Sequence, residues 1–326
     1  MELSIRLDFR QKRCLRILWI DFCLFYRHEC RMKPNNTALD LKGMMLLIIL
    51  CASWGINQVA IKVAIYSVPP VLQAGLRSIG AALLVVVWMK LRRVPILAKD
   101  HTLWWGILVG LLFSVEFILI YWGLEFTNAS RAVIFLNTSP FVVALGAQLF
   151  IPGEKLNKIQ VSGLCLAFVG IMVAFNESLN LPTRQMLIGD IMLMIAAVLW
   201  GATTVVIKSG PLAVISPSKT LLYQLAVSAL VLPLSSLALG EPGMTTLSPL
   251  VMASLFYQIV WIAFITYIAW FWLISNYAVS RLASFTFLTP LFGVLAGAVF
   301  LNEQITLYLV CALFMVGTGI YLINRR

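Results

Sequence analysis

The chain has 326 residues, of which 61% are hydrophobic and 11% are charged, and its formal net charge is +11. Soluble domains carry about 25% charged residues, so this composition excludes a soluble globular protein and indicates a helical membrane protein. The basic residues gather in a few short segments instead of covering one face of a soluble fold, which argues against nucleic-acid binding.

The first segment, residues 1–42, is basic and contains no span of its own. It holds nine of the 24 Lys and Arg residues. Its apolar run, Ile17 to Tyr26, is too short to cross a bilayer and includes Asp21, and no small-residue cleavage site of a signal peptide follows it. Two interpretations stay open, an interfacial amphipathic helix or translation that begins at Met32, and we favour the second. Residues 1–42 are treated as an N-terminal cytoplasmic extension.

Ten apolar spans follow, each close to the roughly 20 residues that a bilayer core requires. Breaks such as Pro69-Pro70 and Pro242-Gly243 separate them, because proline and glycine interrupt helices. The predicted spans are 43–65, 71–91, 103–123, 129–150, 158–176, 188–208, 219–239, 251–273, 281–301 and 305–323. The predicted fold class is an all-α polytopic membrane protein.

The basic residues are divided unequally between the two sides that these spans define. With the N-terminus in the cytoplasm, 20 Lys and Arg residues fall on the cytoplasmic side, whereas only Arg131 and Arg184 fall on the other. Cytoplasmic loops of membrane proteins carry such an excess. We therefore predict a multi-pass protein of the cell (inner) membrane with both termini in the cytoplasm.

The ten spans contain one five-span unit twice. SWGINQVAIK near residue 53 resembles LWGATTVVIK near 199, and SRAVIFLNTSP near 130 resembles SRLASFTFLTP near 280. Internal repeats determine architecture, and a copy that begins after an odd number of crossings enters the membrane from the opposite side. The sequence therefore predicts ten transmembrane helices as two inverted five-helix repeats, residues 43–176 and 188–323.

The first and sixth spans carry a Trp-Gly pair followed by polar residues at helical spacing. The members are Trp54, Gln58 and Lys62, with Asn57 beside them, and then Trp200, Thr204 and Lys208. Residues four apart share one helical face, and aromatic and amide groups that face a cavity suit a small amphipathic solute. The two lysines lie at span ends, where we expect them to reach the headgroups. For the two tryptophans, packing and substrate contact both stay open.

Glu116, past the midpoint of the third span, is the sharpest candidate for a functional group. An ionisable side chain within a bilayer is expected to face the bundle interior or an aqueous cavity, where it can exchange a proton or meet a cationic substrate. A structural pair with Arg77 of the second span is the alternative. The repeat counterparts are uncharged, Thr266 for Glu116 and Gln224 for Arg77, so we expect an electrically lopsided cavity that includes Arg77.

The fourth and ninth spans each contain a proline preceded by polar residues. A proline inside a helix removes one backbone hydrogen bond, and neighbouring Ser or Thr hydroxyls can satisfy the carbonyl that it frees. We predict paired bends with a gating role at Pro140 and Pro290, with a static kink as the alternative. The remaining candidates for the cavity are Asn137 before the first bend and Gln258, Thr266 and Tyr267 in the eighth span.

The order of these motifs is similar in the two copies and matches a known pattern. Each copy has a WG pair, a proline in its fourth span and a following Glu, namely Trp54-Gly55, Pro140 and Glu154, then Trp200-Gly201, Pro290 and Glu303. Over residues 43–323 the chain resembles the EamA family of the drug/metabolite transporter superfamily. That resemblance implies a small-molecule carrier, often an exporter of amino acids or related metabolites, with its cavity lined by helices 1–4 and 6–9.

The predicted function is secondary-active transport of a small metabolite, an amino-acid-like or related amphipathic solute, by an exporter that works through alternating access. The sequence contains no GxxxxGK[ST] motif for ATP binding and no HExxH motif, so we do not expect an enzyme. A non-transporting membrane scaffold and an intramembrane enzyme are the alternatives. We expect no cofactor, metal or nucleic acid. The expected partners are a small-molecule substrate, the lipid bilayer and protons as a candidate coupling ion, and the oligomeric state stays open.

Overall fold

A computed structural model describes residues 39–65, 67–96, 101–127, 129–176, 182–301 and 307–325. Most of these residues are helical; they contain no β-strand and belong to one compact unit, Asn36–Arg326. Residues 1–38 of the predicted N-terminal extension lie outside the described residues, as does Glu303.

Nine helical spans of the described chain have the length and apolar composition needed to cross a bilayer, and a further apolar helix, Lys158–Ala174, is 17 residues long. Each predicted span coincides with one helical stretch, apart from a few residues at the ends. The helices are α1 (Leu41–Ile65), α2 (Pro70–Leu91), α3 (Leu103–Phe126), α4 (Ala129–Leu136 and Ser139–Phe150), α5 (Lys158–Ala174), α6 (Arg184–Ser209), α7 (Pro217–Ala238), α8 (Pro249–Asn276), α9 (Val279–Phe285 and Leu288–Leu301) and α10 (Leu307–Asn324). A 3₁₀ turn, Pro211–Val214, precedes α7.

Local sequence signals account for where several helices begin. Pro70, Pro217 and Pro249 occupy the first turn of α2, α7 and α8, where a missing N–H is harmless and the fixed φ of proline suits a helix. Asn157 caps α5, because its side chain accepts a hydrogen bond of 2.9 Å from the Gln160 backbone amide and its own backbone amide donates one of 3.0 Å to the Gln160 side-chain oxygen. The residues that break one helix thus begin the next.

The predicted bends at Pro140 and Pro290 are interruptions that divide α4 and α9 into two pieces each. Carbonyls next to the breaks accept hydrogen bonds from nearby side chains of the same spans. The Asn137 amide donates to the Val133 carbonyl (2.7 Å), the Thr138 hydroxyl to the Phe135 carbonyl (2.6 Å) and the Thr286 hydroxyl to the Ala283 carbonyl (2.7 Å). The breaks therefore leave these neighbouring backbone oxygens with partners inside the apolar bundle.

The main helix contacts join the first five helices to the last five. Helix α1 packs on α8 and α9, α6 packs on α3 and α4, α2 packs on α7, and α5 packs along α10. When each helix is replaced by its counterpart in the other half (α1 by α6, α2 by α7 and so on, and the reverse), the same set of helix pairs results.

The glycine of each WG pair lies at one of these crossings. A Cβ atom on Gly55 would lie 2.7 Å from the Gly293 nitrogen and 2.7 Å from the Phe292 Cβ in α9, and one on Gly201 would lie 2.6 Å from the Val142 Cβ in α4. Phe292 and Val142 follow the two prolines by two residues. The WG glycines therefore allow α1 and α6 to approach the interrupted helices closely.

Candidate functional site

A group of polar and aromatic side chains from three helices surrounds a buried arginine. Arg77 of α2 is 3% exposed, and its guanidinium carbon lies 4.7 Å from the ring centre of Phe117 in α3 and 6.0 Å from that of Tyr267 in α8. Glu116 of α3 is also buried and interacts electrostatically with Arg77. We call Gln73, Arg77, Glu116, Phe117 and Tyr267 the Arg77 cluster.

Several polar atoms of the Arg77 cluster have no hydrogen-bond partner among the residues that the structure describes. The Arg77 Nε and Nη2 atoms and both side-chain polar atoms of Gln73 are buried and make no hydrogen bond. Arg77 and Glu116 do not approach within the 4.0 Å of an ion pair. Buried polar groups are nearly always hydrogen-bonded to protein or water, so the cluster presents free donors and acceptors to a ligand or to water.

Predicted site residues of α1 and α8 contact each other next to the Arg77 cluster. The Trp54 indole donates a 2.9 Å hydrogen bond to the Thr266 hydroxyl and meets the Trp270 ring edge-to-face at 5.4 Å. Tyr267 meets Phe113 edge-to-face at 6.3 Å. Residues Tyr257–Thr266 of α8 are π-helical, a geometry often found at functional sites. Trp54, Thr266, Tyr267, Arg77 and Glu116 are therefore linked through contacts among α1, α2, α3 and α8.

The other predicted site residues have separate surroundings. Asn57 is buried with its side-chain oxygen unpartnered, whereas Gln58 and Lys62 are exposed. The Gln258 amide donates to Ser254, whose hydroxyl donates to the Ala60 carbonyl of α1. The side chains of Asn137 and Thr204 bond to carbonyls of their own helices, Trp200 and Pro290 are half-buried, and Pro140 is buried.

A buried ion pair near the start of α6 is absent from the predicted site. The Asp190 carboxylate accepts hydrogen bonds from the Arg131 guanidinium of α4 and from the Thr127 hydroxyl (2.9 Å), and both charged residues are buried. At the start of α1, the Asp40 carboxylate accepts a 2.7 Å hydrogen bond from the Tyr277 hydroxyl. Thr127 and Tyr277 occupy equivalent positions between the third and fourth helices of each half, so the two carboxylates form comparable contacts in the two halves.

Loop carboxylates also bind helix starts in the opposite half. Glu154, in the loop after α4, is buried and accepts hydrogen bonds from the Ser280 amide (3.4 Å) and hydroxyl (3.3 Å) at the start of α9. Burial raises the pKa of Glu154, although the positive charge of Lys208 and these hydrogen bonds act in the opposite direction. Glu241 accepts 2.9 Å hydrogen bonds from the Val71 and Leu72 amides of α2. Negative groups stabilise helix N-termini.

The expectation that Lys208 reaches the headgroups is wrong. Its ammonium donates hydrogen bonds to the carbonyls of Ile274 (2.7 Å) and Tyr277 (3.1 Å), which end α8. The reason is tertiary, because the end of α6 lies beside the end of α8, whose carbonyls attract a cation.

Two residues missed from the sequence carried a usable signal. Gln73 lies four residues before Arg77, so the two share a face of α2, and Asp190 is an acidic residue inside a predicted span, which is itself a signal for a paired group. In the described part of the chain, no group of three His, Cys, Asp or Glu residues could hold a metal ion.

The chain is similar to several named transporters and to a solved structure. A probable amino-acid metabolite efflux pump of Salmonella typhimurium is 29% identical, covering 87% of this chain and 95% of its own. The uncharacterized transporters YvbV and YoaV of Bacillus subtilis are 29% and 24% identical, each covering 86% of this chain and 91% and 96% of their own. One crystal structure shares the fold, with a TM-score of 0.74 at 18% identity, over 85% of this chain and 96% of its own.

The family comparison matches both halves separately. The EamA-like transporter family matches residues 41–176 and again residues 187–325. This agrees with the resemblance found in the paired motifs, and it comes with apolar helices long enough to cross a membrane. The chain therefore belongs to the EamA-like transporter family and is a multi-pass membrane transporter, not an enzyme.

Proposed function

We propose that the protein is a secondary-active exporter of a small amphipathic metabolite, with the Arg77 cluster at its binding site. The observation that carries this proposal is the set of buried donors and acceptors on Gln73 and Arg77 that make no hydrogen bond within the described part of the chain. Groups of this kind between apolar helices are expected where a polar solute passes. The amino-acid metabolite efflux named for a relative supports an amino-acid-like substrate.

The proposed mechanism is alternating access by two inverted five-helix repeats, with α5 as the tenth membrane helix. A 17-residue helix is about 25 Å long, near the thickness of a bilayer core, and α5 packs along α10, its counterpart. The helix contacts are the same when the two halves are exchanged, and this symmetry supports the five-helix repeat. In this arrangement both termini are cytoplasmic, and the interruptions before Pro140 and Pro290 are the gating bends.

Cysteine labelling from one side of the membrane tests the inverted topology. In a background without the native cysteines, we expect Thr183→Cys and Gly243→Cys to react with an impermeant maleimide added outside intact cells. Lys155→Cys should react only after permeabilisation. All three native residues are exposed, so accessibility reflects the side of the membrane. External labelling at residue 155 would exclude the proposed orientation.

Flux through reconstituted protein tests the carrier and the role of Glu116. Proteoliposomes loaded with the twenty amino acids and small aromatic acids should lose at least one of them across a pH gradient, measured by mass spectrometry against protein-free vesicles. Glu116→Gln keeps the shape of the side chain but removes a group that can exchange a proton, so this flux should fall to the protein-free rate.

The matched control is Glu125→Gln, which alters an exposed carboxylate of the same helix and should leave flux unchanged. Flux by Glu116→Gln equal to that of the unaltered protein would remove Glu116 from the mechanism. A complete lack of flux with every solute would remove the carrier proposal for this class of substrate.

A further inference from the structure

We propose that Arg77 binds the carboxylate of a small monocarboxylate solute with an apolar or aromatic body, an inference that rests on the proposed carrier function. Arg77 would thus recognise the negative charge of the solute, and the group that it binds is a carboxylate.

The free atoms of Arg77 have the geometry of a carboxylate receptor. Nε and Nη2 lie on the same edge of the planar guanidinium and direct two parallel N–H groups outward, which matches the two oxygens of a carboxylate. Both atoms are buried and unpartnered. Because the side chain is 3% exposed, its charge has little access to bulk water, and a bound anion would compensate it.

Two aromatic rings lie near the guanidinium carbon, and the surroundings leave the Nε and Nη2 edge without a hydrogen bond. Phe117, at 4.7 Å, and Tyr267, at 6.0 Å, provide aromatic rings near the guanidinium carbon, and such rings also suit an apolar ligand body. Glu116 interacts with Arg77 only at a distance beyond an ion pair. The Gln73 amide, one turn earlier on α2, offers a further free donor and acceptor.

The broken repeat limits the number of carboxylates that the site can take. The counterpart of Arg77 on α7 is Gln224, which is buried and uncharged. At this position of the repeat α2 therefore carries a cation, whereas α7 carries only an amide. One guanidinium edge fits one carboxylate.

Binding to the purified full chain tests the inference without requiring flux. The probe is radiolabelled phenylacetate in a scintillation proximity assay, with 2-phenylacetamide as the uncharged competitor of similar shape and phenethylamine as the cationic one. We expect saturable phenylacetate binding and competition by the amide that is about 10- to 100-fold weaker, the range that a hydrogen bond to a charged group supplies. Phenethylamine should compete still less.

Substitutions then assign the preference to Arg77. Arg77→Gln should weaken phenylacetate binding by about the same factor and make the acid and the amide equivalent. Arg77→Lys keeps the charge but not the two-pronged edge, so it should retain part of the preference, which also guards against a folding defect in Arg77→Gln. Arg184→Gln changes an exposed arginine at the start of α6 and should bind like the unaltered protein.

Three outcomes would overturn the inference. They are no saturable binding of phenylacetate, equal competition by 2-phenylacetamide, or an acid preference that survives in Arg77→Gln. If the protein transports a solute but shows no Arg77-dependent preference for the acid, the Arg77 site is excluded and the proposed carrier function stands. If the preference depends on Arg77 but no solute is transported, the site is supported and the proposed carrier function is excluded.

Discussion

Replacing Asp190 with Asn is expected to destabilise the protein by about 3–5 kcal/mol, the range observed when one partner of a buried ion pair is removed. The Asp190 carboxylate accepts bonds from Arg131 and Thr127 in a position where it is 3% exposed. The substitution removes the negative charge that pairs with the buried Arg131 guanidinium. Thermal unfolding in detergent, followed by the fraction of monodisperse protein after heating, should show a large fall in the midpoint.

The double variant Asp190→Asn/Arg131→Gln separates loss of charge from loss of shape. Removing both charges leaves no uncompensated ion, so the double variant should recover much of the stability that Asp190→Asn loses. Glu125→Gln, at an exposed carboxylate near the same end of the bundle, should unfold like the unaltered protein. A double variant no more stable than Asp190→Asn would show that the ion pair does not explain the loss.

Adding one methyl group at the WG glycines is expected to cost about 1–3 kcal/mol each, as overpacking of a tight core does. The new Cβ of Gly55→Ala would lie 2.7 Å from the Gly293 nitrogen and 2.8 Å from the Phe292 carbonyl carbon, both backbone atoms that cannot rotate away. Gly201→Ala meets mainly the Val142 side chain. Because the Val142 Cβ, 2.6 Å from the new methyl carbon, is also fixed by the backbone, both substitutions should lower the unfolding midpoint in the same assay.

Gly317→Ala in α10 is the matched control for these substitutions. It also replaces a helical glycine, but nothing lies within 4 Å of the new methyl group. Alanine is favoured over glycine in a helix interior by up to about 1 kcal/mol, so this variant should be as stable as the parent or more so. If all three variants behave alike, close helix contact does not explain the WG glycines.

The helices and the family follow from the sequence because their signals are local and repeated. Apolar runs and proline breaks define the spans, and the interruptions in α4 and α9 occur where proline follows polar residues. A spacing of four residues does not show which way the shared face of a helix points in the folded protein. It shows that Trp54 and Gln58 share a face, but it does not show that α1 turns Asn57 inward and exposes Gln58.

Residues whose role depends on another helix were harder to predict. Arg77 and Glu116 stand out as charges within apolar spans, but their separation depends on how α2 and α3 meet. The partners of Lys208 and Glu154 lie at the ends of helices more than 60 residues away along the chain. Asp190 was missed because it lies close to a span end, where a charge resembles an ordinary boundary residue.

The packing of each half into the other has a consequence for how the molecule can move. Helix α1 has its main neighbours in α8 and α9, and α6 has its own in α3 and α4. A rotation of one sequence half as a block would separate every one of these pairs. A conformational change that keeps these helix pairs packed would therefore move groups of helices taken from both sequence halves. The moving groups would not coincide with the two halves of the sequence.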